Sequence, residues 1–242
     1  MNQETISNSH AEKTHPVTTA INILTAPGEA FTTIRAYPTK LFPVSVVLLS
    51  LMAVMFWYFS IVDFDWYVDN TLAQANLSDA QHDEARERML SMSQTNFMLL
   101  GMVGAGVGIL AIWMLQTVYL TLVSALRGDD IKFTHWFSLV AWTGLTSLVS
   151  VLGMCVNILL NTNGQLSNYD LDPLTLANLG MQSSNSSIEM IFNAINLTVI
   201  WSLILMMMAY RQWLQSGWVR AVGIVLGPYI LIIGVLAYFA IT

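Results

Sequence analysis

Long apolar stretches alternate with shorter polar and charged segments along the chain. The longest, residues 97–126, contains no Asp, Glu, Lys or Arg. As a helix it would extend about 45 Å at about 1.5 Å per residue, and a bilayer core of about 30 Å needs only about 20 residues. Four other stretches have the same character, so the pattern predicts an all-α membrane bundle, residues 43–242, with five transmembrane helices. These spans are residues 43–62, 97–126, 136–160, 190–210 and 221–241.

An amphipathic segment, residues 16–42, precedes the first span. Val17, Ile21 and Leu24 follow one another at spacings of four and three, which places them on one face of a helix. Pro27 then interrupts the pattern, so we expect one or two short helices. Such helices either lie on the membrane surface near the lipid headgroups or pack on the protein's own cytoplasmic face.

The loop between the first two spans, residues 63–93, is predicted to contain a helix. Ser78 and Gln81 have the spacing of a capping box, and Glu84 and Arg88 can pair four residues apart. An acidic stripe runs along the same helix. It lacks the closed oxygen-rich loop that hard cations prefer, so we interpret it as a solvated face.

Composition supports the membrane assignment. The chain is 55% hydrophobic and only 10% charged, whereas soluble domains carry about 25% charged residues. Residues 1–15 are polar and are predicted to form a disordered cytoplasmic tail. They lack an apolar core, so no cleavable signal peptide is expected. The single cysteine, Cys155, excludes an intramolecular disulfide.

Basic residues are distributed unequally between the two sides that five spans would create. Arg86 and Arg88 lie in the first long loop, and the other cations fall on the side of the amino terminus. Cytoplasmic loops carry an excess of Lys and Arg. The sequence therefore predicts a cytoplasmic amino terminus and a carboxyl terminus outside.

No known catalytic pattern is present. The sequence has no His-Glu-x-x-His, no Gly-x-Ser-x-Gly, no phosphate loop and no paired cysteines. We therefore expect no enzyme activity, no metal site, no cofactor and no nucleic-acid partner. No ionisable residue lies near the centre of a span, which disfavours proton-coupled transport.

Three sets of residues are candidates for function. Charged residues at the predicted cytoplasmic ends could contact headgroups or protein partners: Arg35, Lys40, Arg127, Asp129, Asp130, Lys132 and His135. Neutral polar residues in the spans could either bond neighbouring helices or line a solute path: Gln116, Asn157, Asn193 and Asn196. Small residues in the second span allow close helix packing, within one chain or in a homo-oligomer: Gly101, Gly104 and Gly108.

The overall layout resembles the Yip (Yip-one, Ypt-interacting protein) domain family, most closely its small bacterial members. A proline-containing lead-in with Pro27, Pro38 and Pro43 precedes the first span, and the turn 126–133 joins the second and third spans. The family often has a proline in the third span, whereas residues 142–146 here contain only a glycine. The resemblance covers roughly residues 20–242.

This resemblance implies a five-span protein with a cytoplasmic amino terminus. Eukaryotic relatives bind small Rab-type GTPases and one another, but the short tail here leaves little room for such an adaptor region. We expect a non-enzymatic scaffold or adaptor in a bacterial cytoplasmic membrane, in contact with lipids and with protein partners on its cytoplasmic face. The alternative is a transporter or lipid-handling protein with a neutral polar path between spans three to five.

Overall fold

A computed structural model of the protein describes residues 14–73, 75 and 77–241, so most of the predicted disordered tail lies outside the described residues. Every regular element in the described part is helical. The helices are α1 (Pro16–Thr25), α2 (Pro27–Ala36), α3 (Leu41–Ile61), α4 (Phe64–Ala73), α5 (Asp79–Ser91), α6 (Gln94–Arg127), α7 (Phe133–Thr143), α8 (Ser147–Leu160), α9 (Ser186–Ala194), α10 (Leu197–Leu214) and α11 (Trp218–Ile241).

Four helical segments are long and apolar enough to cross a membrane: α3, α6, the continuous stretch Phe133–Leu160, and α10. The stretch Phe133–Leu160 comprises α7, a 3-10 turn at Gly144–Thr146, and α8. The predicted fifth span corresponds to α11. Within the described residues, the apolar part of this helix is Trp218–Ile232, which is shorter than the four candidate spans. The described part of the chain therefore supports four candidate spans rather than the predicted five.

The largest departure from the predicted boundaries concerns the fourth span. The pattern predicts residues 190–210, whereas residues 190–194 belong to α9 and the long helix is Leu197–Leu214. Asn196 separates the two helices because its side chain accepts a hydrogen bond from the backbone N–H of Val199 and caps α10. Asn196, which the pattern predicts inside the fourth span, is therefore the N-cap of α10.

The third span is interrupted at Gly144, where the 3-10 turn begins. A Cβ atom at Gly144 would overlap the ring of Trp113 on α6. Glycine therefore lets α6 and the 3-10 turn approach closely, since no side chain stands between them.

The amphipathic segment forms two helices that break at Pro27. Ala30, Phe31 and Ile34 of α2 are buried in the main hydrophobic core. This second helix therefore packs on the protein's own helices, which is one of the two predicted alternatives. The first helix, α1, buries Ile23 in the same core.

Hydrophobic clusters lie at both ends of the bundle. One contains Trp136, Trp142, Tyr210 and Trp213 together with buried residues of α2. The other lies at the end of α3 and on α4, where Tyr58, Phe59 and Tyr67 contact one another edge-on. Each cluster joins a short helix to the long ones.

The charged residues divide between these two ends. We call the first the cationic face, and its described basic residues are Arg35, Lys40, Arg127, Lys132, Arg211 and Arg220. We call the second the acidic face; it comprises α4, α5, α9 and the segment 161–185. Nine of the fifteen acidic residues of the chain belong to the acidic face.

Candidate functional site

The cationic face is built on the side chain of Trp136. This residue is fully buried, and its Nε1–H donates a hydrogen bond to the hydroxyl of Ser124 at 3.0 Å. Its ring stacks on Tyr210 with centroids 5.8 Å apart and meets Trp213 at 5.5 Å. Aromatic pairs at these separations add to the free energy gained from burial, so three rings fix the ends of α6, α7 and α10 relative to one another.

Hydrogen bonds then fasten α2 to the end of α10. Arg35 donates from Nη1 to the carbonyl of Trp213 at 2.6 Å, and the indole N–H of Trp213 donates to the carbonyl of Phe31 at 3.0 Å. Gln212 donates to the carbonyl of Gly28 at 2.9 Å. The guanidinium of Arg35 also lies where the last carbonyls of α10 lack intrahelical donors, which is a favourable place for a cation.

The turn between α6 and α7 is closed by the residues that follow α6. Gly128 adopts a left-handed conformation with φ 73°, which glycine tolerates without a steric cost. The backbone N–H of Asp129 then donates to the carbonyl of Ser124 at 2.9 Å. Arg127 donates to the hydroxyl of Tyr210 at 3.1 Å and lies 3.8 Å from the carboxylate of Asp129.

A second pair of contacts fixes the linker that enters α3. The carbonyl of Thr39 accepts hydrogen bonds from the hydroxyl of Ser138 at 2.6 Å and from the indole N–H of Trp142 at 2.8 Å. The ring of Phe42 stacks on Trp142. The linker is therefore held against α7, and the start of α3 has a defined position.

The seven predicted contact residues consequently fall into two groups. Arg35, Arg127 and Asp129 bind other parts of the chain, as described above. Lys40, Asp130 and Lys132 are exposed, and His135 is partly buried. The exposed group projects from a base that the aromatic side chains hold, which is the arrangement expected of a contact surface.

A buried polar cluster lies between α8 and α10, near the acidic face. Its centre is Asp172, which is only 8% exposed although it belongs to the segment 161–185 between two helices. One carboxylate oxygen accepts hydrogen bonds from Ser150 at 3.0 Å and from Asn196 at 2.8 Å, and the other accepts from the backbone N–H of Leu174 at 3.0 Å. A buried carboxylate needs such donors to replace water.

The cluster continues into the helices. Asn196 accepts a hydrogen bond from the hydroxyl of Thr198 at 2.8 Å, and Thr146 donates to the carbonyl of Thr198 at 2.9 Å. Backbone bonds between the segment 174–177 and the end of α9 add a short antiparallel contact, with a bridge from Thr175 to Asn196. The segment that carries Asp172 is therefore inserted between the helices.

The predicted path residues take part in internal bonds. Asn157 donates to the carbonyl of Asp170 at 2.8 Å, Asn193 to the carbonyl of Glu189 at 3.0 Å, and Gln116 to the sulfur of Met206 at 3.1 Å. Asn196 belongs to the Asp172 cluster. The structure thus brings Asn157 and Asn196 to one segment, since Asn157 donates to the carbonyls of Asp170 and Leu171 and Asn196 donates to the carboxylate of Asp172.

Two of the surface hollows in the described part of the chain lie away from that cluster. One, of about 440 Å³, is lined by residues of α5, and the other, of about 370 Å³, lies between α2 and the end of α10. Arg35 and Trp213 line the second hollow. No group of three or more potential metal ligands occurs among the described residues.

The glycines predicted to pack helices have different surroundings. A Cβ atom at Gly101 would lie 3.7 Å from the ring of Phe59 on α3, whereas atoms added at Gly104 and Gly108 would meet nothing within 4 Å. Gly101 is therefore an internal packing position. Gly104 and Gly108 leave room beside α6 that no described residue of this chain fills.

The burial of Asp172 is not predicted by the sequence pattern, because this residue lies between the predicted spans 136–160 and 190–210. The available signal was weak: an Asp-Pro pair followed by leucines suggests a partly apolar segment, and such a segment can insert among helices.

Comparison with protein families gives one match. The family model described as Yip1 domain matches residues 21–239, which is nearly the whole chain. Neither the curated proteins nor the solved structures give a match. The family match covers α2 to α10 completely and α11 up to residue 239, and so includes both the cationic face and the Asp172 cluster.

Proposed function

The chain belongs to the Yip1 domain family, and we propose that it is a non-enzymatic membrane scaffold or adaptor that binds partner proteins on its cationic face. The observation that carries this proposal is the division of that face into a rigid aromatic base and exposed charged side chains. Lys40, Asp130 and Lys132 are exposed, and the backbone around them is held by Trp136, Trp142 and their neighbours. Such preorganisation lowers the entropic cost of binding a partner.

The proposed topology has five spans, with α11 as the fifth. It places the cationic face in the cytoplasm, because six described basic residues lie there and positive charge favours the cytoplasmic side. The membrane we propose is a bacterial cytoplasmic membrane. Reporters that are active only in the cytoplasm, fused to either end, should be active at the amino terminus and silent at the carboxyl terminus.

Partner binding can be tested with variants that leave the aromatic base intact. Lys40→Gln, Lys132→Gln and Arg220→Gln, combined in one protein, remove exposed charge from the cationic face. The matched control is Arg88→Gln on α5, where the side chain is also exposed. Crosslinking in intact cells should recover fewer partner proteins with the triple variant and an unchanged set with the control. An unchanged set with both proteins would refute the proposal.

The alternative function, transport of a neutral solute or lipid, has less support. Its path residues are hydrogen-bonded, and the segment carrying Asp172 occupies the space between α8 and α10. Purified protein in liposomes should therefore move neither small neutral solutes nor fluorescent lipids faster than protein-free liposomes. Movement that stops in an Asn196→Ala variant would favour the transporter.

A further inference from the structure

The first helix, α1, has three distinct faces rather than two. Thr19 and Ile23 are buried against the rest of the protein. With 3.6 residues per turn, the neighbouring stripe consists of Val17, Ile21 and Leu24, which are 49%, 56% and 42% exposed. An ordinary amphipathic helix on a soluble surface has one apolar face, and that face points to the core. The exposed apolar stripe of α1 therefore requires a different surrounding.

The third stripe of α1 is polar. Thr18 and Thr25 are exposed and Asn22 is partly buried, and these three residues lie between the apolar stripe and Thr19 on the other side of the helix. Going around the helix, the order is protein, apolar and exposed, polar and exposed. This order is expected for a helix that lies in a membrane interface beside a transmembrane bundle, with protein on one side, lipid beneath and water above.

The level of α1 along the bundle agrees with this position. Ile23 belongs to the same core cluster as Val47 of α3 and Leu120 of α6, and Ala20 packs against that cluster together with Phe42 and Val46. These residues lie in the first turns of α3 and the last turns of α6. The helix itself contacts α2 and α7, so it lies beside the beginning of the third candidate span, where the headgroup region of a leaflet begins.

Nearby exposed apolar side chains also indicate contact with lipid. Leu41 at the start of α3, Leu126 at the end of α6 and Val219 at the start of α11 are 78%, 88% and 89% exposed. Arg211 lies over the ring of Trp218, with 4.8 Å to its centroid. Exposed aliphatic side chains beside cations and an indole ring are typical of the boundary between acyl chains and headgroups.

We infer that α1 is an interfacial lipid-binding helix, which inserts the Val17, Ile21 and Leu24 side chains into the leaflet on the cationic face. These side chains contact lipid at the boundary between headgroups and acyl chains, at the shallow depth of about 5–10 Å that such helices reach. This inference deepens the proposed function, since it names the lipid contact of the same face. Because α1 precedes α2 directly, insertion also orients α2 and the exposed lysines relative to the membrane.

Single nitroxide labels provide the test, since their collision with oxygen reports lipid and their collision with a water-soluble nickel chelate reports water. Cys155→Ala, with Cys155→Ser as a second background, leaves one introduced cysteine to label. Labels at Ile21 and Leu24 are compared with matched labels at Thr18 and Thr25 in full-length protein. The vesicles contain phosphatidylethanolamine and phosphatidylglycerol.

We expect labels at residues 21 and 24 to collide more often with oxygen than with the chelate, and labels at residues 18 and 25 to show the reverse. Frequent chelate collision at residue 21 would place the stripe in water and overturn the inference. Protection from both reagents would mean that protein covers the stripe, and would also overturn it. The labels report the surroundings of α1 alone, so this test can fail while the crosslinking result for Lys40, Lys132 and Arg220 stands.

Discussion

The two ends of the bundle are stabilised by different interactions. On the cationic face, Trp136, Tyr210 and Trp213 pack against one another, and most charged groups stay at the surface. Near the acidic face, a carboxylate is buried and its donors come from the inserted segment itself, α8 and the start of α10. The acidic face therefore has exposed acidic residues at its surface and is also stabilised by the buried carboxylate of Asp172.

This difference has consequences for which residues can change. The burial of the rings on the cationic face is a hydrophobic contribution, which is non-directional, so exposed charges around Trp136 can vary without disturbing the base beneath them. A buried hydrogen-bond network is directional, and loss of one partner leaves the remaining polar groups unsatisfied. We therefore expect the cationic face to tolerate surface substitution and the Asp172 cluster to resist it.

The largest expected effect is the loss of the ring at the centre of the cationic face. Trp136→Ala should lower the free energy of unfolding by about 3–5 kcal/mol, because it leaves a large cavity between α6, α7 and α10. Trp136→Phe should cost less, since a ring remains to stack on Tyr210. Denaturant unfolding in detergent micelles measures both, with Trp218→Ala, at a half-exposed position, as the control. Equal losses for the Trp136→Ala and Trp218→Ala variants would refute the central role of Trp136.

The next effect concerns the acidic end. Asp172→Asn keeps the size of the side chain but turns an acceptor into a donor that faces the donors of Asn196 or Leu174. We expect a loss of about 2–3 kcal/mol, as for a hydrogen-bonded charged group, and faster proteolysis within 161–185. Asp170→Asn is the matched control, because that carboxylate bonds the hydroxyl of Ser167 within its own segment. If Asp172→Asn unfolds like the control, the two ends do not differ as described.

Much of the architecture could be predicted from sequence because lipid imposes a simple rule on length and polarity. The first span, predicted at 43–62, is Leu41–Ile61, and the second, predicted at 97–126, is Gln94–Arg127. The capping box of Ser78 and Gln81 and the pair of Glu84 with Arg88 also occur as predicted. These features are local, so their residue spacing determines them.

The features that could not be predicted depend on distant contacts. Nothing in the spacing of Asn196 distinguishes a residue inside a span from the cap of α10. Likewise, the burial of Asp172 depends on Ser150 and Asn196, which are more than 20 residues away. The division of the charged candidates into structural Arg35 and exposed Lys132 depends on how α2 packs on α10. Periodicity carries no information about such packing.

Steric fit gives a second way to test the acidic end, with a smaller expected effect. A Cβ atom at Gly153 of α8 would lie 2.8 Å from the ring of Pro173, the residue after Asp172. Gly153→Ala should therefore push the inserted segment outward and cost about 1–3 kcal/mol, as overpacking does. Gly104→Ala is the control, because an added Cβ meets nothing there and alanine favours helix. A stabilised Gly153→Ala variant would show that the segment is loosely inserted.

The smallest expected effect is that of an exposed ion pair on the acidic face. Arg86 on α5 donates to the carboxylate of Asp69 on α4 at 2.6 Å, and this hydrogen bond lowers the pKa of Asp69 below its ordinary value of 3.8. A lowered carboxyl pKa adds stability above the unfolded-state pKa, and this stability is lost as the pH falls through the folded-state value.

The pair is tested by comparing thermal midpoints of the parent protein and Asp69→Asn at about pH 7 and at about pH 2, since the contribution of the pair is lost only below the ordinary carboxyl pKa of about 4. The midpoints should differ slightly at the higher pH, converge towards the lower pH, and also converge in high salt, because exposed pairs are screened. Glu84→Gln, which breaks the neighbouring exposed pair with Arg88, is the control for general loss of charge. A difference that persists at low pH and in high salt would mean that Asp69 acts through packing. The charge of this exposed pair would then contribute nothing measurable, and packing and the buried carboxylate would account for the stability of the acidic face.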